Sequence, residues 1–234
     1  MGELLGELTG LVWREDCLAC GRAGTPRAVA GVALCRVCAL QLRGEPTRVA
    51  DTASPPVFAA GPYGGAYRGV VLAAKEHLRP EAVQVAGAVL AGTVRHLVAR
   101  GLVTDPRLAP VVLLPAPTTR RAARDRGGCV VERSAVVAAR DLGGGTHVVA
   151  TATLASGTRD SVGLGRGERQ ANIASNLHID DVAVRRAGRL LRTPGAVACI
   201  VDDVTTTGAT VARFATALAA RGVVPAVAVV LAQA

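Results

Sequence analysis

Aromatic residues are nearly absent from this chain: one Trp, two Tyr and two Phe make up 2% of its 234 residues. Proteins that stack nucleic-acid bases do so on rows of aromatic rings, so a base-stacking platform is disfavoured. Half of the residues are nevertheless apolar, and only 19% are charged. This balance predicts a folded core built from Ala, Val and Leu, and it excludes an intrinsically disordered chain.

Long apolar runs are also absent from the sequence. The longest, residues 222–234, is shorter than the roughly 20 residues that cross a bilayer. The first residues include acids where a secretory signal peptide carries a basic leader. We therefore expect a cytoplasmic protein with no membrane insertion.

Lysine occurs once, at Lys75, whereas the chain holds 26 arginines. Residues 1–55 balance at six basic and six acidic side chains, so the whole net charge of +9 belongs to residues 56–234. Such a surplus favours ligands that carry phosphate, whether small or polymeric. Solubility alone would explain the surplus equally well.

A boundary near residue 55 divides the chain into a small module with its linker (1–55) and a larger domain (56–234). Residues 44–56 contain Pro, Gly and Thr in the proportion typical of a linker. In the larger domain, apolar strand patterns at 110–115, 147–151, 197–201 and 223–231 alternate with helical patterns that begin at 80, 125 and 208. This alternation predicts an α/β fold with a parallel sheet, whose ligands bind at the carboxyl ends of the strands.

Four cysteines in the small module form two pairs with the same spacing. Cys17 and Cys20 are separated by two residues, and Cys35 and Cys38 repeat that spacing after fourteen residues. Each pair can offer two thiolates to one tetrahedral zinc ion, whereas disulfides are disfavoured in the cytoplasm. We predict a structural zinc site in which four protein ligands leave no open position.

Two acids and a Thr-rich turn follow the strand pattern at 197–201. Asp202 and Asp203 only accept hydrogen bonds, which suits the paired hydroxyls of a ribose and a divalent cation next to them. The turn can present backbone N–H groups and hydroxyls to a phosphate at a helix N-terminus. Its residues are Thr205, Thr206, Thr207, Gly208, Ala209 and Thr210. The alternative is an ordinary strand-to-helix turn with an acid near its cap.

The run VDDVTTTGAT (201–210) resembles the phosphoribosyl pyrophosphate (PRPP) signature of type I phosphoribosyltransferases. Further motifs are AYRG at 66–69, KEH at 75–77, LPAP at 114–117, RDRGG at 124–128 and the Arg and Asn of 169–172. With the four upstream cysteines, the whole chain is similar to the ComF/GntX family of competence-related, phosphoribosyltransferase-like proteins. This resemblance implies a type I phosphoribosyltransferase-like parallel sheet flanked by helices, with an N-terminal zinc ribbon.

The resemblance also implies roles for individual residues. Asp202 and Asp203 would hold the ribose hydroxyls together with Mg2+, the turn 205–210 the 5′-phosphate, and the loop 116–121, with Arg120 and Arg121, the pyrophosphate. Within the Gly- and Ser-rich stretch 153–172, Arg159 and Arg169 would stabilise the leaving pyrophosphate from a closing lid. The alternative for that stretch is a solvated loop. Lys75 would contact a phosphate oxygen, unless it is an accident of codon usage.

The expected function is therefore PRPP binding with Mg2+ and transfer of phosphoribose, with inversion at the anomeric carbon, to an acceptor that no motif specifies. The alternative is a module without chemistry, either a PRPP sensor or an accessory of DNA uptake. The clustered arginines are compatible with weak single-stranded DNA binding. An Ala- and Val-rich domain of this type is also compatible with a homodimer.

Overall fold

The computed structural model describes residues 16–24, 27–29, 32–49, 55–119, 123–124, 127–155 and 177–234. Its elements, in chain order, are β1 (Arg27–Val29), β2 (Val32–Cys35), α1 (Arg36–Gln41), β3 (Thr47–Arg48), β4 (Val57–Ala59), α2 (Gly65–Lys75), α3 (Pro80–Ala99), β5 (Val111–Pro115), α4 (Val130–Leu142), β6 (Thr146–Val148), β7 (Ala152–Leu154), β8 (Leu177–Ile179), α5 (Asp181–Leu190), β9 (Val197–Thr205), α6 (Ala209–Ala219) and β10 (Val227–Gln233).

A six-stranded sheet in the order β3-β4-β10-β9-β5-β6 forms the centre of the molecule. All neighbouring strands pair in parallel except β3, which lies antiparallel to β4 at one edge. Every residue of β5 is buried, as expected for a strand covered on both faces. The predicted α/β fold, with a mostly parallel sheet flanked by helices, is confirmed.

Strand β9 extends further than its apolar pattern indicates. The pattern ends at Val201, but pairing with β10 continues to Thr205, which lies opposite Gln233. The two acids of the signature are therefore held within the central strand itself. Their backbone is fixed by the ladder rather than by a loop.

The stretch interpreted as a linker contributes to the main sheet. Its residues Thr47 and Arg48 form β3, and Val49 is 2% exposed, with its N–H donating to the Val57 carbonyl at 2.8 Å. The buried Val49 side chain and this hydrogen bond hold the short edge strand against β4.

The cysteine module, residues 16–24, 27–29 and 32–42, packs on helix α2. Leu18 and Leu34 of the module lie in the same apolar cluster as Tyr67 and Val70 of α2. The side chains of Arg79 and Asp16 form an ion pair at 3.1 Å, and the Ala66 N–H donates to Gln41 Oε1 at 3.2 Å. The module and α2 therefore share one hydrophobic core.

The close approach of the module to α2 requires glycine at position 69. A Cβ on Gly69 would overlap the backbone carbonyl of Ala19, whereas a Cβ on Gly92 in α3 would meet nothing within 4 Å. Both glycines lie inside helices, where Ala is intrinsically favoured by about 0.5–1 kcal/mol. We expect Gly92→Ala to leave the melting temperature unchanged or raised, and Gly69→Ala to lower it by several degrees because the module must shift. Thermal denaturation of wild type and both variants checks this, and equal melting temperatures for the two variants would contradict the packing.

Within the described part of the chain, one helix meets the length and composition criteria for a membrane span. Helix α3 has 20 residues, and its most apolar window of 18 residues has a mean hydropathy of 1.4 and is 56% buried inside the fold. Core helices of soluble proteins meet the same criteria, so this finding is weak evidence for a membrane location.

Candidate functional site

The two acids of the signature lie near the carboxyl end of β9, between β10 and β5. The Asp203 N–H donates to Asp202 Oδ1 at 2.8 Å, and the Val204 N–H donates to Asp203 Oδ1 at 2.7 Å. Each carboxylate is thus oriented by the amide of the next residue. Carboxyl ends of parallel strands are where ligands of open α/β sheets bind.

Lys75 is the last residue of α2, and its Nζ lies 2.6 Å from Asp203 Oδ2. The two side chains are 28% and 16% exposed, so the pair lies in a partly desolvated environment. A cation is favoured at the carboxyl end of a helix, which adds to the attraction. The lysine that the sequence analysis placed on a phosphate therefore contacts a carboxylate in this structure.

The pKa of Asp202 is raised to about 7, first by burial and second by the negative charge of Asp203. The positive charge of Lys75 opposes this increase. A carboxyl group with such a pKa changes charge near neutral pH, which is common for groups at binding and catalytic sites.

Protonation of Asp202 makes stability depend on pH in a defined direction. The folded protein retains the proton up to about pH 7, whereas an unfolded Asp loses it near 3.8. Because the folded state binds more protons in this interval, the free energy of unfolding falls as pH rises from about 4 to about 7. Asp202→Asn removes the titration, so its melting temperature should increase relative to wild type from about pH 5 to about pH 7 and then level off.

A suitable control is Asp105→Asn, since hydrogen bonds from Arg107 lower the pKa of Asp105 to about 2. The melting temperature of that variant should differ from that of wild type by a constant amount over the same interval, because Asp105 is ionised in both the folded and the unfolded state there. Thermal denaturation at a series of pH values measures all three proteins. A constant difference between Asp202→Asn and wild type would contradict the prediction.

The Thr-rich turn connects β9 to the N-terminus of α6. Gly208 adopts a left-handed conformation with φ of 71°, and its N–H donates to Thr205 Oγ1 at 3.0 Å. Thr205 is buried, whereas Thr206 and Thr207 are exposed. The turn thus exposes polar side chains next to the N-terminus of an 11-residue helix, whose first amides have no partner within the helix, an arrangement that suits an anion.

The carboxylates open on a cavity of about 170 Å³. Its wall is completed by the loop after β5, through Ala116 and Thr118, and by Cys129 at the start of α4. An adjoining cavity of about 520 Å³ shares these three residues and extends to His178 and Asp180. Thr118 belongs to the loop 116–121 that the resemblance assigned to the pyrophosphate. Sequence motifs did not indicate Cys129 or His178, because each comes from a different segment and carries no distinctive spacing.

Four residues assigned to the site lie outside the described part of the chain: Arg120, Arg121, Arg159 and Arg169. The described residues next to them are joined, because the Leu154 N–H of β7 donates to the Thr118 carbonyl at 3.0 Å. The loop after β5 and the stretch that follows β7 therefore begin side by side.

The four cysteines of the small module come together, as predicted. Their Sγ atoms all lie within 4.8 Å of one another, and Cys20 Sγ is 3.9 Å from Cys35 Sγ. A tetrahedral zinc ion with Zn–S bonds of about 2.3 Å places its sulfurs about 3.8 Å apart, so the donor set fits. Burial opposes ionisation of the Cys17 thiol, but backbone N–H groups, that of Cys35 first, outweigh it and lower its pKa to about 6. The cluster could bind a metal ion such as zinc.

Comparison with known proteins returned no matching family model and no matching curated protein. The resemblance to the ComF/GntX family consequently depends on the motifs themselves. What the structure supports directly is an α/β protein with a four-cysteine cluster and a carboxylate pair near the carboxyl end of a central strand of its sheet.

Proposed function

We propose that this chain is a ComF-type, type I phosphoribosyltransferase-like protein that binds PRPP with Mg2+ and transfers phosphoribose to an acceptor. The observation that carries the proposal is the arrangement around β9. Two adjacent carboxylates on a central parallel strand lead through a left-handed Gly208 into a helix N-terminus, next to a polar cavity. A diol, a cation and a phosphate can be accommodated along these few residues.

Each part of the arrangement would have one task in binding. Asp202 and Asp203 would accept hydrogen bonds from the ribose hydroxyls, and the exposed Thr206 and Thr207 with the first amides of α6 would hold the 5′-phosphate. Thr118 lines the same cavity as the carboxylates, and the pyrophosphate would lie next to it. Carboxylate oxygens are suitable ligands for Mg2+, which would neutralise the charge of the pyrophosphate group.

Transfer would break the bond between C1 of the ribose and the pyrophosphate oxygen, and it would form a bond from C1 to the nucleophile of the acceptor. Pyrophosphate would leave with the bonding electrons, and the configuration at C1 would invert. The residues of the cavity would contribute by orienting the diol and stabilising the leaving charge.

Calorimetric titration of the protein with PRPP, with and without Mg2+, tests the binding step. We expect saturable binding that requires the cation. Incubation of the protein with PRPP, Mg2+ and a panel of nitrogenous bases and amines, followed by measurement of pyrophosphate release, tests the transfer step. Binding without release for any acceptor would favour a PRPP sensor, and absence of binding would overturn the proposal.

A further inference from the structure

Lys75 occupies an unusual position for the single lysine of a chain with 26 arginines. Among the described residues that line the cavity of about 170 Å³, it is the only one with a cationic side chain. Its ammonium contacts Asp203 Oδ2, while the other oxygen of that carboxylate accepts the Val204 N–H. Both oxygens of Asp203 are thus engaged before any ligand arrives.

The choice of lysine matters for this contact. A lysine ammonium is a compact charge on a flexible stem, whereas an arginine guanidinium forms a planar, two-pronged contact with a carboxylate. The ion pair is partly solvated, with side chains that are 28% and 16% exposed. A competing anion can therefore draw the ammonium away without unfolding α2.

We propose that Lys75 neutralises the carboxylate pair in the ligand-free protein. A divalent cation then binds the carboxylates only together with an anionic ligand, because the ammonium must leave Asp203 and pair with that anion. The inference rests on the proposed function only in taking Asp203 as part of the ligand site. Lys75 is in this view a positioning residue that couples cation binding to anion binding. Without Lys75, the carboxylates would bind a bare cation.

The test measures Mn2+ binding from the relaxation of water protons. In Lys75→Met, two neighbouring carboxylates lose their positive neighbour, and we expect Mn2+ alone to bind about tenfold more tightly than to wild type. Arg68→Met removes an exposed positive charge from the same helix and should leave Mn2+ binding unchanged. Addition of Asp203→Asn to Lys75→Met should abolish the increase.

Ribose 5-phosphate serves as the anionic probe, because it carries both a diol and a phosphate. It should tighten Mn2+ binding to wild type, and this enhancement should fall in Lys75→Met. If Lys75→Met does not fold, Lys75→Gln removes the charge but keeps a hydrogen-bond donor on a side chain one bond shorter, and it should show the same gain. Equal Mn2+ affinity in wild type and the folded variant, or a gain that persists with Asp203→Asn, would overturn the inference.

The two proposals fail in different ways. A gain of Mn2+ affinity at Asp203 without any PRPP binding would support the role of Lys75 and overturn the proposed function. If wild type binds PRPP but removal of Lys75 leaves Mn2+ affinity unchanged, the proposed function is supported and the role of Lys75 is overturned.

Discussion

Protein purified without chelator is expected to contain one zinc ion per chain, and Cys38→Ser is expected to lose it. The four Sγ atoms lie within 4.8 Å of one another, so the site needs little rearrangement to close around the metal. Structural zinc in small modules contributes on the order of 10–16 kcal/mol of apparent binding free energy. Loss of one thiolate removes much of this binding free energy. The module also shares its apolar cluster with α2. Unfolding of the module should therefore also destabilise α2.

The matched control is Cys129→Ser, because Cys129 is a cysteine outside the cluster, at the start of α4. It should retain the full zinc content, which elemental analysis measures for all three proteins. Circular dichroism during chelator treatment then follows the loss of structure. If wild-type protein purified without chelator contains no zinc, and its melting temperature does not change on chelator treatment, the cysteines have another role.

Asp203→Asn is expected to weaken PRPP binding by a few kcal/mol, a decrease of about a hundredfold in affinity. A hydrogen bond to a charged group is worth about 1.5–3 kcal/mol, and the neutral amide also loses the attraction to the cation. Gly208→Val should weaken binding for a different reason. The side chain would be forced into a left-handed backbone conformation, at a cost of about 1–2 kcal/mol, at the start of helix α6, where the phosphate would bind.

Gly222→Val is the control that distinguishes the effect of backbone strain at a left-handed glycine from the effect of losing the phosphate site. Gly222 has φ of 80° and lies between α6 and β10, away from the carboxylates, and a Cβ there meets nothing within 4 Å. Both valine variants should lower the melting temperature, but only Gly208→Val should lower PRPP affinity in calorimetric titration. Wild-type affinity in both Asp203→Asn and Gly208→Val would exclude the turn as a phosphate site.

The local elements of the candidate site follow from short-range patterns. The apolar run before Asp202 marks a buried strand, and the Thr-rich turn with Gly208 marks the start of a helix. The four cysteines likewise follow from their spacing alone. Such features depend on backbone geometry over a few residues, and a pattern of a few residues contains that information.

The end of β9 was less accessible to sequence reasoning. Polar residues from Asp202 onwards indicate a loop, yet pairing with β10 continues the strand to Thr205. Pro, Gly and Thr in residues 44–56 indicate a linker, yet Val49 is buried and Thr47 and Arg48 join the sheet. In both places a neighbouring strand supplied hydrogen bonds that overrode the local preference.

The sequence by itself determined the class of fold, the alternation of strands β5, β6, β9 and β10 with helices α3, α4 and α6, the cysteine cluster and the acid–threonine–glycine turn. Only the tertiary structure decided that Lys75 contacts Asp203, that Thr118 and Cys129 face the same cavity, and that the cysteine module shares a core with α2. Helical and strand periodicity specify which face of an element is buried, but not which distant element covers it. Those pairings arise from packing between segments that are far apart in the chain.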